Sequence, residues 1–216
     1  MKCKLPPALE YSISYDVKFE KDFQFVRGGK MHGFLPKKPV TGVREGRPDG
    51  WRLRLMFRRQ SAMTKYDCHQ YKPSQYGNRG EPIDRFFRFR KDRWMSVSIH
   101  VSINEDPSKA TGFNHVYVYV DGELIERHDQ VRLRAVATKD TLINYALFST
   151  FHGGHSEEWP PRDERGNPMN VHALFDNFGV FAGKNVRQKP GKDWSNEDQN
   201  DGESQQGSTG KPHTQD

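Results

Sequence analysis

The most constraining feature of this chain is a strict alternation of apolar and polar residues over short segments. Between Glu10 and Glu20, every second residue is aromatic or β-branched, and the residues between are polar or charged. The apolar members are Tyr11, Ile13, Tyr15, Val17 and Phe19. Successive side chains of a β-strand point to opposite faces, so this period of two predicts a strand with one buried and one solvated face.

The same alternation recurs along the chain in segments that end at turn residues. Its apolar members are Trp51, Leu53, Leu55 and Phe57, then Val97, Ile99, Val101 and Ile103, then Val116, Val118 and Val120. Asp121-Gly122 predicts a hairpin turn after the third set. Further strands are predicted over Tyr145 to Phe151 and Ala173 to Phe181. Many short antiparallel strands with little helix predict an all-β fold, a β-sandwich of the jelly-roll type.

The composition separates a folded domain from a tail. A length of 216 residues suits one domain with an appendage. Beyond Lys184 the chain consists mostly of Asn, Gln, Ser, Gly, Asp and Lys, with almost nothing to bury. We therefore predict one jelly-roll domain over residues 1–185 and a disordered polar tail over residues 186–216.

The charge of the predicted domain favours a polyanionic partner. The whole chain has a formal net charge of +6, and without the tail it carries 30 basic and 22 acidic residues. An excess of positive charge suits nucleic acid, a membrane surface or an acidic glycan. The chain contains no apolar run long enough to span a membrane and no nucleic-acid-binding motif, so we expect neither partner.

The two cysteines, Cys3 and Cys68, cannot support a disulfide framework, although a single bridge between them stays open. No cysteine or histidine cluster has the spacing of a zinc site, so the sequence predicts no metal. No secretion signal precedes the first strand.

The polar faces of the predicted strands carry an unusual set of side chains. They hold Arg52, Arg54 and Arg58 on one strand, His100 on another, and Tyr117 and Tyr119 on a third. Arginine binds a carboxylate with two parallel hydrogen bonds, and tyrosine stacks on a sugar while offering a hydroxyl. This pattern favours an acidic sugar as ligand, and the alternative is a surface with incidental basic content.

Segments in chain order resemble polysaccharide lyase family 14. They are Leu9 to Phe19, the GGKMHGF stretch within Phe23 to Phe34, Gly50 to Arg58, Tyr66 to Tyr71, Gln75 to Gly77, Arg93-Trp94, Val120 to Leu124, Phe148 to Gly154, Trp159 to Pro161, and Phe175 to Phe178. The resemblance covers the chain from about Leu9 to Gly183. Members of that family usually carry additional strands ahead of the Leu9 segment, so the resemblance also suggests an N-terminally truncated sandwich.

The resemblance implies a lyase that cleaves a 1,4-linked uronate polymer, alginate or glucuronan, by β-elimination to unsaturated oligouronates. The glucuronan lyases of family 20 share the implied jelly-roll fold. We accordingly expect an acidic polysaccharide as substrate, a monomer, and an extracellular location by family resemblance. β-Elimination needs a neutralised carboxylate, a base near C5 and an acid at the departing oxygen, and none of these requires a metal or another cofactor.

By the same resemblance, the catalytic residues are Lys30 and Arg54, which would neutralise the carboxylate, and Tyr66, which would exchange protons with C5 or the leaving oxygen. Arg52 stands where the family usually has serine, and Cys68 stands where it has a second tyrosine. His32 replaces a proline of the motif. Because imidazole titrates near neutrality, we expect His32 to join the catalytic set as a base.

We expect substrate contacts from seven further residues. They are Arg52, Gln70, Tyr71, Gln75, His100, Tyr117 and Tyr119. The residues do not decide which group is the base and which the acid, or which uronate polymer is cleaved. Two other functions stay open: a noncatalytic module that binds acidic glycans, and a basic binder of single-stranded nucleic acid.

Overall fold

A computed structural model describes residues 1–40, 47–67, 78–79, 87–107, 114–129, 131–154 and 156–191. Within these ranges the chain forms twelve β-strands and one short 3-10 helix. The strands are β1 (Lys2–Ala8), β2 (Glu10–Phe19), β3 (Gly29–Leu35), β4 (Arg52–Arg58), β5 (Ser61–Asp67), β6 (Asn78–Arg79), β7 (Trp94–Ser102), β8 (His115–Val120), β9 (Glu123–Asp129), β10 (Ile143–Leu147), β11 (Phe151–His152) and β12 (Ala173–Ala182). The 3-10 helix spans Lys139–Thr141.

The strands form two antiparallel sheets, which confirms the predicted β-sandwich. Sheet A has the order β1-β10-β3-β4-β5-β6, with β11 also paired to β3, and sheet B has the order β12-β2-β7-β8-β9. The apolar positions of the alternating segments face each other between the sheets. The core includes Ile13, Tyr15, Val17, Leu53, Leu55, Phe57, Val97, Ile99, Val101, Val116 and Val118. The opposite faces of both sheets therefore carry the polar side chains.

Strand β1 is an edge strand that the alternation did not predict. It pairs only with β10 in the described part of the chain, and its register shifts between Lys4 and Ala8. Pro6 and Pro7 lie within this shift. Proline lacks a backbone N–H, so an edge position with an interrupted ladder accommodates both residues.

The central pair of sheet A, β3 and β4, contains a register shift between Lys30 and Gly33. Lys30 lies opposite Met56, and Gly33 lies opposite Arg54. A Cβ atom at Gly33 would collide with the backbone carbonyl of Leu53, so the close approach of the two strands requires glycine here. This register shift determines the position of Lys30 on β3 relative to Arg54 on β4.

After β12, residues 183–191 cross the outer face of sheet B, and we call this segment the C-terminal strap. Arg187 Nη1 donates to Asp16 Oδ1 over 2.9 Å, and the backbone N–H of Gly191 donates to Asp16 Oδ2 over 2.9 Å. The strap buries Ser12 and Ser98, whose hydroxyl groups bond its main chain. Residues 186–191, which belong to the predicted tail, therefore contact the domain. Residues 192–216 lie outside the described residues.

No helix in the described ranges is long and apolar enough to cross a membrane. Cys3 is an exposed free thiol on β1, and Cys68 lies outside the described residues.

Candidate active site

Lys30 and Arg54 converge on one aromatic ring at the outer face of sheet A. The ladder places Phe151 of β11 opposite Lys30, and Lys30 in turn opposite Met56 of β4. Lys30 Nζ lies 5.3 Å from the centroid of the Phe151 ring, and Arg54 Cζ lies 5.9 Å from it. Both distances are within the range of cation–π attraction. The site therefore presents two positive groups beside a ring that is half exposed.

The segment that carries Phe151 also holds Arg54 directly. Arg54 Nη1 donates a hydrogen bond to Ser149 Oγ over 3.2 Å. Gly153 is buried under the Lys30 side chain. The contact is so close that a Cβ atom at Gly153 would collide with the ammonium end of Lys30. Residues 149–153 thus position both cations from the β10 side of the sheet.

His32 lies inside the sandwich and not on the outer face of sheet A. Its side chain is fully buried, and its ring stacks on Phe148 at 4.2 Å between centroids. The ring also makes tilted or edge-on contacts with three aromatic rings of sheet B, those of Tyr15, Phe175 and Phe178. This placement departs from the predicted role as a base, since a side chain enclosed by four aromatic rings does not meet a polymer bound on the outside of sheet A.

The contact of His32 with the site is indirect. His32 Nδ1 lies 3.1 Å from the backbone nitrogen of Ser149 and 3.2 Å from its carbonyl oxygen, so either neutral tautomer bonds the main chain of Ser149. Burial lowers the pKa of His32 to about 4, against a weaker opposing effect of the Ser149 hydrogen bond. The imidazole is therefore neutral at pH 7 and fastens the residue that holds Arg54.

The structure separates three predicted substrate-binding residues from this site. His100, Tyr117 and Tyr119 lie on β7 and β8, on the outer face of sheet B. Tyr117 donates its hydroxyl to Asp129 over 2.6 Å, and Lys184 of the strap lies over the Tyr119 ring. These residues share a face because of the period of two, but sheet membership puts them on the opposite side of the sandwich from Lys30.

The other predicted residues are described only in part. Arg52 lies on β4 with the same alternation as Arg54, so it shares the outer face of sheet A. Tyr66 lies on β5 opposite Leu53, whereas Lys65 is the residue opposite Arg54. The side chain of Tyr66 lies outside the described residues, as do Gln70, Tyr71 and Gln75 entirely.

Sequence reasoning missed the roles of Phe151 and Ser149. Both belong to the segment Phe148 to Gly154, which carried part of the family resemblance without an assigned role. The available signal was the pair Gly153-Gly154, since adjacent glycines mark a close approach of the backbone to another group. Gly153 closely approaches Lys30, and Gly154 closely approaches Trp159.

The comparisons with known proteins agree on the family and the fold. The model of the family described as Polysaccharide lyase 14 matches residues 6–178. A search of curated proteins finds no match.

Among solved structures, the alginate lyase Aly36B superposes with a TM-score of 0.67 at 20% identity, covering 85% of this chain and 75% of that one. The marine PL-14 alginate lyase from Aplysia kurodai gives a TM-score of 0.57 at 24% identity, covering 82% of this chain and 71% of that one. The endo-β-1,4-glucuronan lyase from the fungus Trichoderma reesei gives 0.51 at 12% identity, covering 84% and 73%. At these identities the superpositions show a shared fold.

Proposed function

Since the chain belongs to polysaccharide lyase family 14, we propose that it cleaves a 1,4-linked uronate polymer, alginate or glucuronan, by β-elimination on the outer face of sheet A. The observation that carries this proposal is the convergence of Lys30 and Arg54 on the Phe151 ring. The products are oligouronates with a double bond between C4 and C5 at the new non-reducing end.

The first task of the site is to make the C5 proton acidic. The uronate carboxylate next to C5 carries a negative charge that opposes removal of that proton. A guanidinium and an ammonium group at this carboxylate stabilise the charge that develops in the enolate-like transition state. Arg54 suits the role because its fork matches the two carboxylate oxygens, and Ser149 Oγ fixes its orientation.

The second task is to move two protons. A base takes the proton from C5, the electron pair forms the C4–C5 double bond, the C4–O4 bond breaks, and an acid protonates O4 as the leaving hydroxyl. From the family resemblance alone we propose that Tyr66 of β5 exchanges one of these protons; in the register of β4 and β5 it lies opposite Leu53 and not opposite Arg54. Arg52, Gln70, Tyr71 and Gln75 are proposed to contact neighbouring sugar units.

We propose that His32 acts as a positioning residue instead of a base. It bonds the main chain of Ser149, and Ser149 Oγ in turn accepts a hydrogen bond from Arg54. The ring is buried among aromatic side chains, so it keeps this geometry without being exposed to solvent. The proline-to-histidine departure from the family motif thus affects the support of Arg54 and adds no proton-transfer group to the outer face of sheet A.

Two observations on relatives support an acidic polysaccharide as substrate. Mutants of Aly36B have been solved in complex with an alginate trisaccharide and an alginate tetrasaccharide. The glucuronan lyase shares the fold at lower identity. We further propose an extracellular site of action, by resemblance to the lyase family.

The test is an assay of double-bond formation, by far-ultraviolet absorbance, on polymannuronate, polyguluronate and glucuronan. We expect activity on at least one polymer, and we expect Lys30→Ala and Arg54→Ala each to lower kcat/KM by about 10²- to 10³-fold. Arg93→Ala is the matched control, since this exposed arginine pairs with Asp121 in the turn between β8 and β9 of sheet B.

Binding of a uronate polymer without any rise in absorbance would indicate a glycan-binding module and would overturn the proposal. Equal losses in Arg93→Ala and Arg54→Ala would show that general positive charge, and not the site on sheet A, drives the activity.

A further inference from the structure

Three residues on the outer face of sheet B bring potential metal ligands together, on the opposite side of the sandwich from the proposed active site. Glu10 of β2 and His115 of β8 both lie opposite Ser102 of β7, in one row across three strands. His100 lies two residues before Ser102 on the same strand and therefore on the same face. One carboxylate oxygen and one ring nitrogen from each histidine lie within 4.8 Å of one another.

His100 holds one ring nitrogen against the Glu10 carboxylate from a buried position. His100 Nε2 lies 2.9 Å from Glu10 Oε1, and the side chain of His100 is only 2% exposed. Its Nδ1 is buried and has no hydrogen-bond partner among the described residues. The nitrogen that would bind an ion beside Glu10 is therefore Nε2, and the unpartnered Nδ1 lies on the far side of the ring.

His115 supplies the third group from a more exposed position. Its ring is parallel to that of His100, with centroids 4.6 Å apart, and it also stacks on Tyr117 at 4.3 Å. Parallel rings direct their nitrogen lone pairs side by side, so binding one ion requires the His115 ring to turn. His115 is the first residue of β8 and is only partly buried, and its turn toward the ion would break the stack on the Tyr117 ring.

We propose that Glu10, His100 and His115 bind a divalent transition-metal ion, with Zn²⁺ as the best match. Two imidazoles and one carboxylate form a ligand set that zinc accepts, and three protein ligands leave a fourth position for water. The nitrogen-rich set disfavours Ca²⁺ and Mg²⁺, which prefer oxygen ligands. Tetrahedral zinc needs ligand atoms about 3.4 Å apart, so the separations of up to 4.8 Å in this cluster must shorten by up to about 1.4 Å.

The ion would cross-link β2, β7 and β8 beside the C-terminal strap. This role is structural, because the cluster lies on sheet B and both Lys30 and Arg54 lie on sheet A. The site is independent of the proposed lyase chemistry, which needs no metal. Lys184 of the strap lies close enough to His100 to lower the pKa of that ring, and its charge opposes a bound cation.

The test uses the full chain, stripped of metal with a chelator and titrated with ZnCl₂ by calorimetry. We expect saturable binding of one ion per chain and a rise of several degrees in melting temperature. Glu10→Gln and His115→Ala should each weaken binding by about 10-fold or more, and Lys184→Gln should tighten it a few-fold, because it removes a like charge.

His172→Ala is the matched control, since His172 is an exposed histidine that pairs with Glu20 at 3.2 Å on another part of the molecule. The two substituted residues, Glu10 and His115, are at least partly exposed. The experiment therefore does not depend on whether the buried His100 tolerates substitution. Unchanged zinc affinity in Glu10→Gln and His115→Ala, or no saturable binding to the native chain, overturns the proposal. Loss of binding in His172→Ala alone also overturns it.

Discussion

Replacement of His32 separates a positioning role from a proton-transfer role. The two variants are His32→Asn, which keeps hydrogen-bonding atoms near the position of Nδ1, and His32→Leu, which fills similar space without them. Nδ1 bonds the main chain of Ser149, and Ser149 Oγ accepts from Arg54. We expect His32→Asn to keep most of the activity and His32→Leu to lose about 10-fold or more, because the support of Arg54 is weakened.

The same variants have a calculable effect on stability. Burial lowers the pKa of His32 from 6.5 to about 4, so the unfolded chain binds a proton in this range that the folded chain does not. Stability is therefore fully present above pH 6.5 and is lost as the pH falls toward 4. At about 1.4 kcal/mol per pH unit, the loss attributable to His32 is about 3 kcal/mol. His100, whose pKa is also about 4, contributes a similar loss that the variants keep.

The measurement is urea unfolding followed by tryptophan fluorescence between pH 7 and pH 4, together with kcat/KM on the preferred polymer. Relative to the native chain, both variants should show a flatter dependence of unfolding free energy on pH, by about 3 kcal/mol over this range. Ser149→Ala should lower activity and leave that dependence unchanged. If His32→Asn and His32→Leu lose activity equally by 10² or more, His32 is a reacting group and the positioning role is wrong.

Three further perturbations test the packing around the site and the strap. Phe151→Ala should lower kcat/KM by about 5- to 30-fold in the double-bond assay, because two cation contacts worth about 1–2 kcal/mol together are lost, while the melting temperature changes little. Gly33→Ala should lower the free energy of unfolding in urea by about 1–3 kcal/mol, since the added methyl meets the carbonyl of Leu53. Arg187→Ala should cost about 3 kcal/mol in the same measurement, because it leaves the fully buried carboxylate of Asp16 without its cation. An unchanged midpoint in Arg187→Ala would show that the strap does not stabilise sheet B.

Much of the fold was predictable from local pattern. The period of two in the segment from Glu10 to Glu20 identified β2 and its apolar face correctly, because backbone geometry alone sends neighbouring side chains to opposite sides. The prediction that its polar face is solvated was wrong, since Ser12, Ser14 and Asp16 are fully buried and the C-terminal strap bonds Ser12 and Asp16. Strand β1 was not predictable in this way, since Pro6 and Pro7 interrupt its pattern and an edge position tolerates them. The resemblance to the lyase family, which the family match confirms, extended the prediction to an enzyme acting on polysaccharides.

The candidate site was predictable only in part. Lys30 and Arg54 were named from motifs, and the structure brings them together over Phe151, a residue with no role in the sequence prediction. Motif matching did not predict the buried position of His32, because the family motif has proline there and the enclosing rings come from segments distant in sequence.

The sequence by itself determined which residues share a face in each alternating strand, since that choice depends only on the alternation of the backbone. Only the tertiary structure decided which polar faces share a side of the sandwich. Face alternation is a local property, whereas sheet membership depends on pairing between distant strands, such as β3 with β11 and β2 with β7. For that reason His100 and Tyr117 lie on the opposite side of the sandwich from Lys30, and Glu10, His100 and His115 meet although no sequence spacing links them.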